Sequence, residues 1–127
     1  MAFQVLALSG GGFLGLYSAT ILAELEKITG RSVATSFDLI AGTSIGGIVA
    51  LGLASGASAS TIKSVFEENG ARIFGNNPPP TSQFGVFKDI LSGAFRSKYD
   101  ANVLRETIES IVGKDTRIGD LQHAVLI

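Results

Sequence analysis

The sequence predicts an α/β fold built on a parallel sheet, and three observations predict it. Two short apolar runs, Phe3 to Leu8 and Phe37 to Ala41, are separated by a glycine turn and an amphipathic stretch, the strand–turn–helix–strand order of a βαβ unit. Each run ends in glycines, Gly10-x-Gly12-x-x-Gly15 after the first and Gly42-Thr43-Ser44-Ile45-Gly46 after the second. Of the 127 residues, 46% are hydrophobic and 17% charged, enough apolar material for a core and too much for a disordered chain. Strands joined through a helix run parallel, so both glycine turns fall at one edge of the sheet. That edge is where open α/β folds hold their ligands.

The elements follow in order. Phe3 to Leu8, bounded by glycine, reads as a buried strand. The next helix runs from about Gly15 to Ile28, with Tyr17, Ile21, Leu25 and Ile28 recurring at helical spacing, Leu22 beside them and Gly30 as its C-terminal stop. Phe37 to Ala41 is the second strand. The helix after Ser44 carries Gly46, Gly47, Ala50, Gly52 and Ala54 and is almost wholly apolar, which predicts a tightly packed central helix. Ser58 or Ser60 caps a further helix with Ile62, Val65 and Phe66 on one face, ending near Asn69-Gly70.

Beyond it, three consecutive prolines, Pro78 to Pro80, exclude helix and central strand. Five of the eight phenylalanines, Phe66, Phe74, Phe84, Phe87 and Phe95, fall between residues 66 and 95, either as packing under a long loop or as a lipid-facing lid. Asp100 caps an amphipathic helix with Val103, Leu104, Ile108, Ile111 and Val112 on one side and Arg105, Glu106 and Glu109 on the other, closed by Gly113. The chain stops on Ala124 to Ile127, an apolar run suited to a buried strand, so the sequence reads as cut within a domain.

Composition narrows the function. A net charge of −1 with scattered Lys and Arg offers no footprint for a nucleic-acid polymer. With no cysteine and one histidine, neither a thiolate nor an imidazole metal site is expected, and no cofactor is predicted. The first residues lack the basic start and apolar length of a secretion signal, which predicts a cytoplasmic protein.

Chemistry concentrates at Ser44. G-x-S-x-G between a strand and a helix is the sequence pattern of a nucleophile elbow, in which Gly42 and Gly46 let neighbouring backbone pass close to a serine on a strained turn. Ser44 then stands at a helix N-terminus, where unpaired N–H groups favour developing negative charge. The glycine loop after the first strand has two readings. Gly10-x-Gly12-x-x-Gly15 fits a dinucleotide-binding Rossmann oxidoreductase, which needs an acid closing the second strand; Asp38 opens that strand instead. Alternatively, Gly10, Gly11, Gly12 and Gly15 form an oxyanion hole whose N–H groups face the intermediate produced when Ser44 attacks an acyl carbonyl.

Taken together, SGGGFLG and DLIAGTSIGG resemble the patatin-like phospholipases, strongly over residues 3 to 55 and more loosely beyond, where VLRETIESIVGKDTRIGDL is similar to the family's helix and turn before its third strand. The resemblance implies a three-layer parallel-sheet hydrolase fold, of which residues 1–127 are the N-terminal portion. It implies a lipid acyl hydrolase of phospholipase A type that cleaves glycerophospholipid esters through a Ser-Asp dyad, with Ser44 as nucleophile. The dyad Asp belongs to an Asp-Gly-Gly or Asp-Gly-Ala motif; no Asp here is followed that way, so it is expected beyond residue 127 and the 127-residue piece alone is expected to be inactive. A second departure is Leu14, where the family usually carries Arg or Lys. His123, before the last apolar run, is predicted at the wrong edge of the sheet to serve as base. The phrase LSGGGFLGLYSA is most similar to bacterial effectors of nucleotide-signalled antiphage defence. That similarity implies a phospholipid membrane substrate met at the inner membrane face, the remainder of the polypeptide as partner, and leaves room for a cyclic nucleotide activator and a homo-oligomer. A degenerate, non-catalytic patatin module is the other reading.

Overall fold

The computed structural model describes residues 2–74 and 101–127. In chain order these form β1 (Val5–Leu8), α1 (Leu14–Thr29), a 3₁₀ turn (Val33–Ser36), β2 (Leu39–Gly42), α2 (Ile45–Ala54), α3 (Ala59–Phe74), α4 (Ala101–Val112), a second 3₁₀ turn (Ile118–Asp120) and β3 (Val125–Leu126). The strands lie in the order β1-β2-β3 and every pairing is parallel. Val5 pairs with Leu39 and Leu8 with Gly42, so β1 and β2 end level with each other, and Ala41 pairs with Leu126. The two glycine turns therefore leave the same edge of the sheet, as the βαβ order predicts.

Alternation along the strands decides what the sheet covers. Leu6, Leu8, Ile40 and Val125 face the core, while Val5 and Leu126 point to the opposite, exposed side. Against the inner face lies α2, whose Ile45, Ile48, Val49, Ala50 and Leu53 are buried together with Ala19 and Leu22 of α1, Ile62 and Phe66 of α3, and Ile111 of α4. The small residues permit this closeness: a methyl group on Gly52 would lie 2.7 Å from Ile111 Cγ2 and 2.8 Å from Ile62 Cδ1. α2 is thus the central helix that its composition predicts.

One local question is decided and two readings change. On α1 the stripe Tyr17, Ile21, Leu25 and Ile28 is exposed, and the buried line is Gly15, Ala19 and Leu22. Helical spacing says which residues share a face, but α1 has two apolar faces, and the small-residue one lets it approach the core. α3 runs past Asn69-Gly70 to Phe74; Asn69 Nδ2 donates to Val65 O within the helix at 3.0 Å, and Gly70 is buried. A glycine costs a helix about 1 kcal/mol, which packing of α3 along α1 and α4 outweighs. β2 begins at Leu39 because Val33–Ser36 forms a 3₁₀ turn and Asp38 is engaged in a loop, its Oδ2 accepting the Gln4 N–H at 2.7 Å.

Ser58, and not Ser60, caps α3: its Oγ accepts the Thr61 N–H at 3.1 Å. Glu26 assists from α1, accepting the Ala59 N–H at 2.8 Å and the Val33 N–H at 3.0 Å. The stripe on α4 packs as its spacing predicts, with Ile111 buried and Val103, Leu104, Ile108 and Val112 against the core. The proline loop, the Asp100 cap and the reading of Phe84, Phe87 and Phe95 as packing or lid lie outside the described residues. Among the described residues no helix is long and apolar enough to cross a membrane.

Candidate active site

Ser44 occupies the junction of β2 and α2 with φ 54° and ψ −128°, the one non-glycine residue with positive φ among the described residues. Such a conformation costs about 1–3 kcal/mol and persists only where its surroundings hold it. Here the Thr43 N–H donates to Leu8 O at 3.2 Å, the Gly46 N–H to Thr43 O at 3.0 Å, and the Gly47 N–H to Ser44 O at 2.9 Å. The junction is tied on both sides. Ser44 is exposed, and its side chain makes no capping bond to α2, so the hydroxyl is not occupied by the helix it precedes.

The flanking glycines are explained by close approach. A Cβ on Gly46 would run into Leu8 O and come within 2.7 Å of Ser9 O, so the first turn of α2 rests directly on the end of β1. A Cβ on Gly42 would strike the carbonyl of Gly46. All of these obstacles are backbone atoms, which cannot swing aside.

The glycine loop lies against the serine: a Cβ on Gly10 would sit 3.0 Å from Ser44 Cβ. Gly11 and Gly12 have φ of 133° and 59°, conformations that favour glycine. The four loop glycines differ in what their N–H groups do. Gly10 N–H donates to Thr43 Oγ1 at 3.2 Å, and Gly15 N–H donates to Gly12 O at 2.9 Å. The N–H groups of Gly11, Gly12 and Ile45 have no acceptor among the described residues. Of the oxyanion set expected from the sequence, Gly10 to Gly12 with Gly15, Gly10 and Gly15 hold internal bonds. Gly15 is buried against α2, where a Cβ would come 2.5 Å from Ile45 Cγ1, and so sets the distance between two helix N-termini.

Beside this edge, Ala7, Leu8, Ser9, Ala41, Gly42, Thr43, Leu126 and Ile127 line an open hollow of about 490 Å³. Its walls are mostly apolar. Asp38 stands at the opposite edge, where β2 begins. His123 is there too: it precedes parallel β3, and its N–H donates to Ala54 O at 3.3 Å. Asp120 accepts the Arg117 N–H in the turn before β3. Asp38, Asp120 and His123 therefore do not share the edge that carries Ser44; Asp89 and Asp100 lie outside the described residues.

A family model for patatin-like phospholipases matches residues 6–127. The chain belongs to this family. A cGAMP-activated phospholipase of Pseudomonas aeruginosa is 48% identical over 126 residues, covering 98% of this chain and 35% of that protein. One from Vibrio cholerae is 42% identical over 131 residues, covering 98% and 37%. Patatin-like protein 2 of Arabidopsis thaliana is 33% identical over 136 residues, covering 97% and 32%. The chain thus spans about a third of the length of these three relatives. Membership sets aside the dinucleotide reading, as does the position of Asp38, which is at the wrong edge to meet a ribose. Leu14, the departure from the family pattern noted in the sequence, is 62% exposed beside the loop. Thr43, given no role in the sequence reading, proves to join the two turns. The available signal was a hydroxyl-bearing residue directly before the serine.

Proposed function

We propose that this chain is the nucleophile-bearing part of a patatin-like lipid acyl hydrolase. The observation that carries the reading is Ser44 itself, exposed at φ 54° on a strand-to-helix turn with the glycine loop against its Cβ. Ser44 Oγ attacks the ester carbonyl of a glycerophospholipid, the C–O double bond opens, and the carbonyl oxygen takes the negative charge. The Gly11 and Gly12 N–H groups, with Ile45 N–H at the start of α2, receive it; each preorganised donor of this kind is worth roughly 3–4 kcal/mol in the transition state. Leu14 adds no cation, so backbone donors carry the stabilisation. The Ser44 proton passes to a dyad Asp outside these 127 residues and from it to the departing alcohol oxygen, leaving an acyl-enzyme. Water, deprotonated by the same Asp, releases the fatty acid and regenerates Ser44.

The cGAMP-activated phospholipases from Pseudomonas aeruginosa and Vibrio cholerae support a cyclic dinucleotide as activator and phospholipid as substrate, and we place the reaction at the inner face of the membrane as part of the same proposal. The test uses the full-length protein with phosphatidylglycerol–phosphatidylethanolamine vesicles. A fluorophosphonate probe labels Ser44, fatty acid is released on adding cyclic dinucleotide, and Ser44→Ala stops both. Fatty-acid release undiminished in Ser44→Ala refutes the mechanism. A wild-type protein that neither labels nor hydrolyses under any activator would support the degenerate-module reading.

A further inference from the structure

Thr43 is where the nucleophile turn and the glycine loop meet. Resting on the reading of Ser44 as nucleophile, we infer that Thr43 is a positioning residue: its hydroxyl tethers the oxyanion loop to the elbow and sets how far the loop's donors stand from Ser44. Three hydrogen bonds converge on it. Its N–H donates to Leu8 O at 3.2 Å, its carbonyl accepts the Gly46 N–H at 3.0 Å, and Oγ1 accepts the Gly10 N–H at 3.2 Å. The first two are backbone bonds open to any residue except proline. The third needs an oxygen on Cβ, which limits the position to Thr or Ser.

The far end of the loop is held by the first turn of α1, where Gly11 O accepts the Leu14 N–H at 3.3 Å and Gly12 O the Gly15 N–H at 2.9 Å, and the tether to Thr43 holds its start. Gly10 is followed by Gly11 and Gly12 in positive-φ conformations, and a run of three glycines has more backbone freedom to lose than any other sequence. Fixing the Gly10 peptide against Thr43 fixes the start of that run, beside Ser44 Cβ, and so orients the Gly11 and Gly12 N–H groups that follow. Threonine suits the task because its branched Cβ restricts χ1, which keeps the acceptor aimed. Both partners are partly or fully exposed, so the bond contributes little to folding and much to loop position.

The experiment compares Thr43→Val, which keeps the shape and loses the oxygen, with Thr43→Ala and Thr43→Ser in the full-length protein. Steady-state hydrolysis of p-nitrophenyl butyrate gives kcat and KM, and thermal unfolding is followed alongside. Thr43→Val and Thr43→Ala are expected to lower kcat roughly 10-fold, as the displaced loop donors hold the oxyanion less well, with KM within about twofold and the unfolding temperature nearly unchanged. Thr43→Ser is expected to recover most of kcat. Wild-type kcat in the two variants lacking oxygen, or a Ser variant as slow as they are, overturns the inference. If Val does not fold, the Ala–Ser pair still isolates the oxygen. Ser44→Ala run in parallel separates the two levels: hydrolysis that survives it sinks the nucleophile reading itself, whereas a dead Ser44→Ala beside a fully active Thr43→Val sinks only the tether.

Discussion

Gly46→Ala should damage both stability and acylation, against the usual gain from putting alanine in a helix. In an unconstrained helix the change stabilises by about 1 kcal/mol. Here the added Cβ would meet Leu8 O and lie 2.7 Å from Ser9 O, and both are backbone atoms at the end of β1. Relief requires α2 to move off the sheet by roughly half an ångström or more to restore ordinary carbon–oxygen contact. Overpacking of this kind costs about 1–3 kcal/mol, so the net change is destabilising by up to about 2 kcal/mol. The same shift carries Ser44 away from the Gly11 and Gly12 N–H groups, and misplacement approaching 1 Å costs on the order of 100-fold in rate. The assay is the rate of fluorophosphonate labelling at Ser44 together with urea unfolding, measured in the full-length protein. Gly47→Ala is the control, because its nearest obstacle is the end of a side chain, Ile127 Cγ2 at 2.9 Å. Labelling and stability in Gly46→Ala equal to those of Gly47→Ala would refute the close-approach reasoning.

Ser44→Gly is expected to lower hydrolysis on the order of 10⁴-fold or more while raising stability by about 1 kcal/mol, since glycine adopts φ 54° without the cost a side chain meets; denaturant titration and vesicle hydrolysis check the two halves. Glu26→Ala removes the acceptor shared by the Val33 and Ala59 N–H groups and should destabilise by about 1–3 kcal/mol, with Glu26→Gln retaining part of the loss and the labelling rate of the folded fraction unaffected. Phe66→Ala opens a void at the fully buried centre of α3 and should cost about 3–5 kcal/mol in a urea titration. A loss under 1 kcal/mol would mean that α3 is not anchored there.

Much of this was legible in the residues because it rests on local rules. The βαβ order, the small-residue composition of α2, Gly30 as the stop of α1 and the placement of Ser44 at a strand-to-helix turn all follow from patterning over a few residues. What the residues left open was a choice between equivalents. Tyr17, Ile21, Leu25 and Ile28 have helical spacing, yet α1 turns its Ala19 face inward. The glycine loop has four candidate donors, and only the fold shows that two N–H groups are engaged, one of them by a threonine 33 positions away.

By itself, the sequence determined the class of fold, the position of the candidate nucleophile and the need for glycine on both sides of it, because each is encoded in the spacing of neighbouring residues. Only the tertiary structure decided which N–H groups stay open and which apolar faces are covered. These are distances between segments remote in the chain. They are set when β1 and β2 pair in register and α2 settles on them, which no periodicity along the sequence can express.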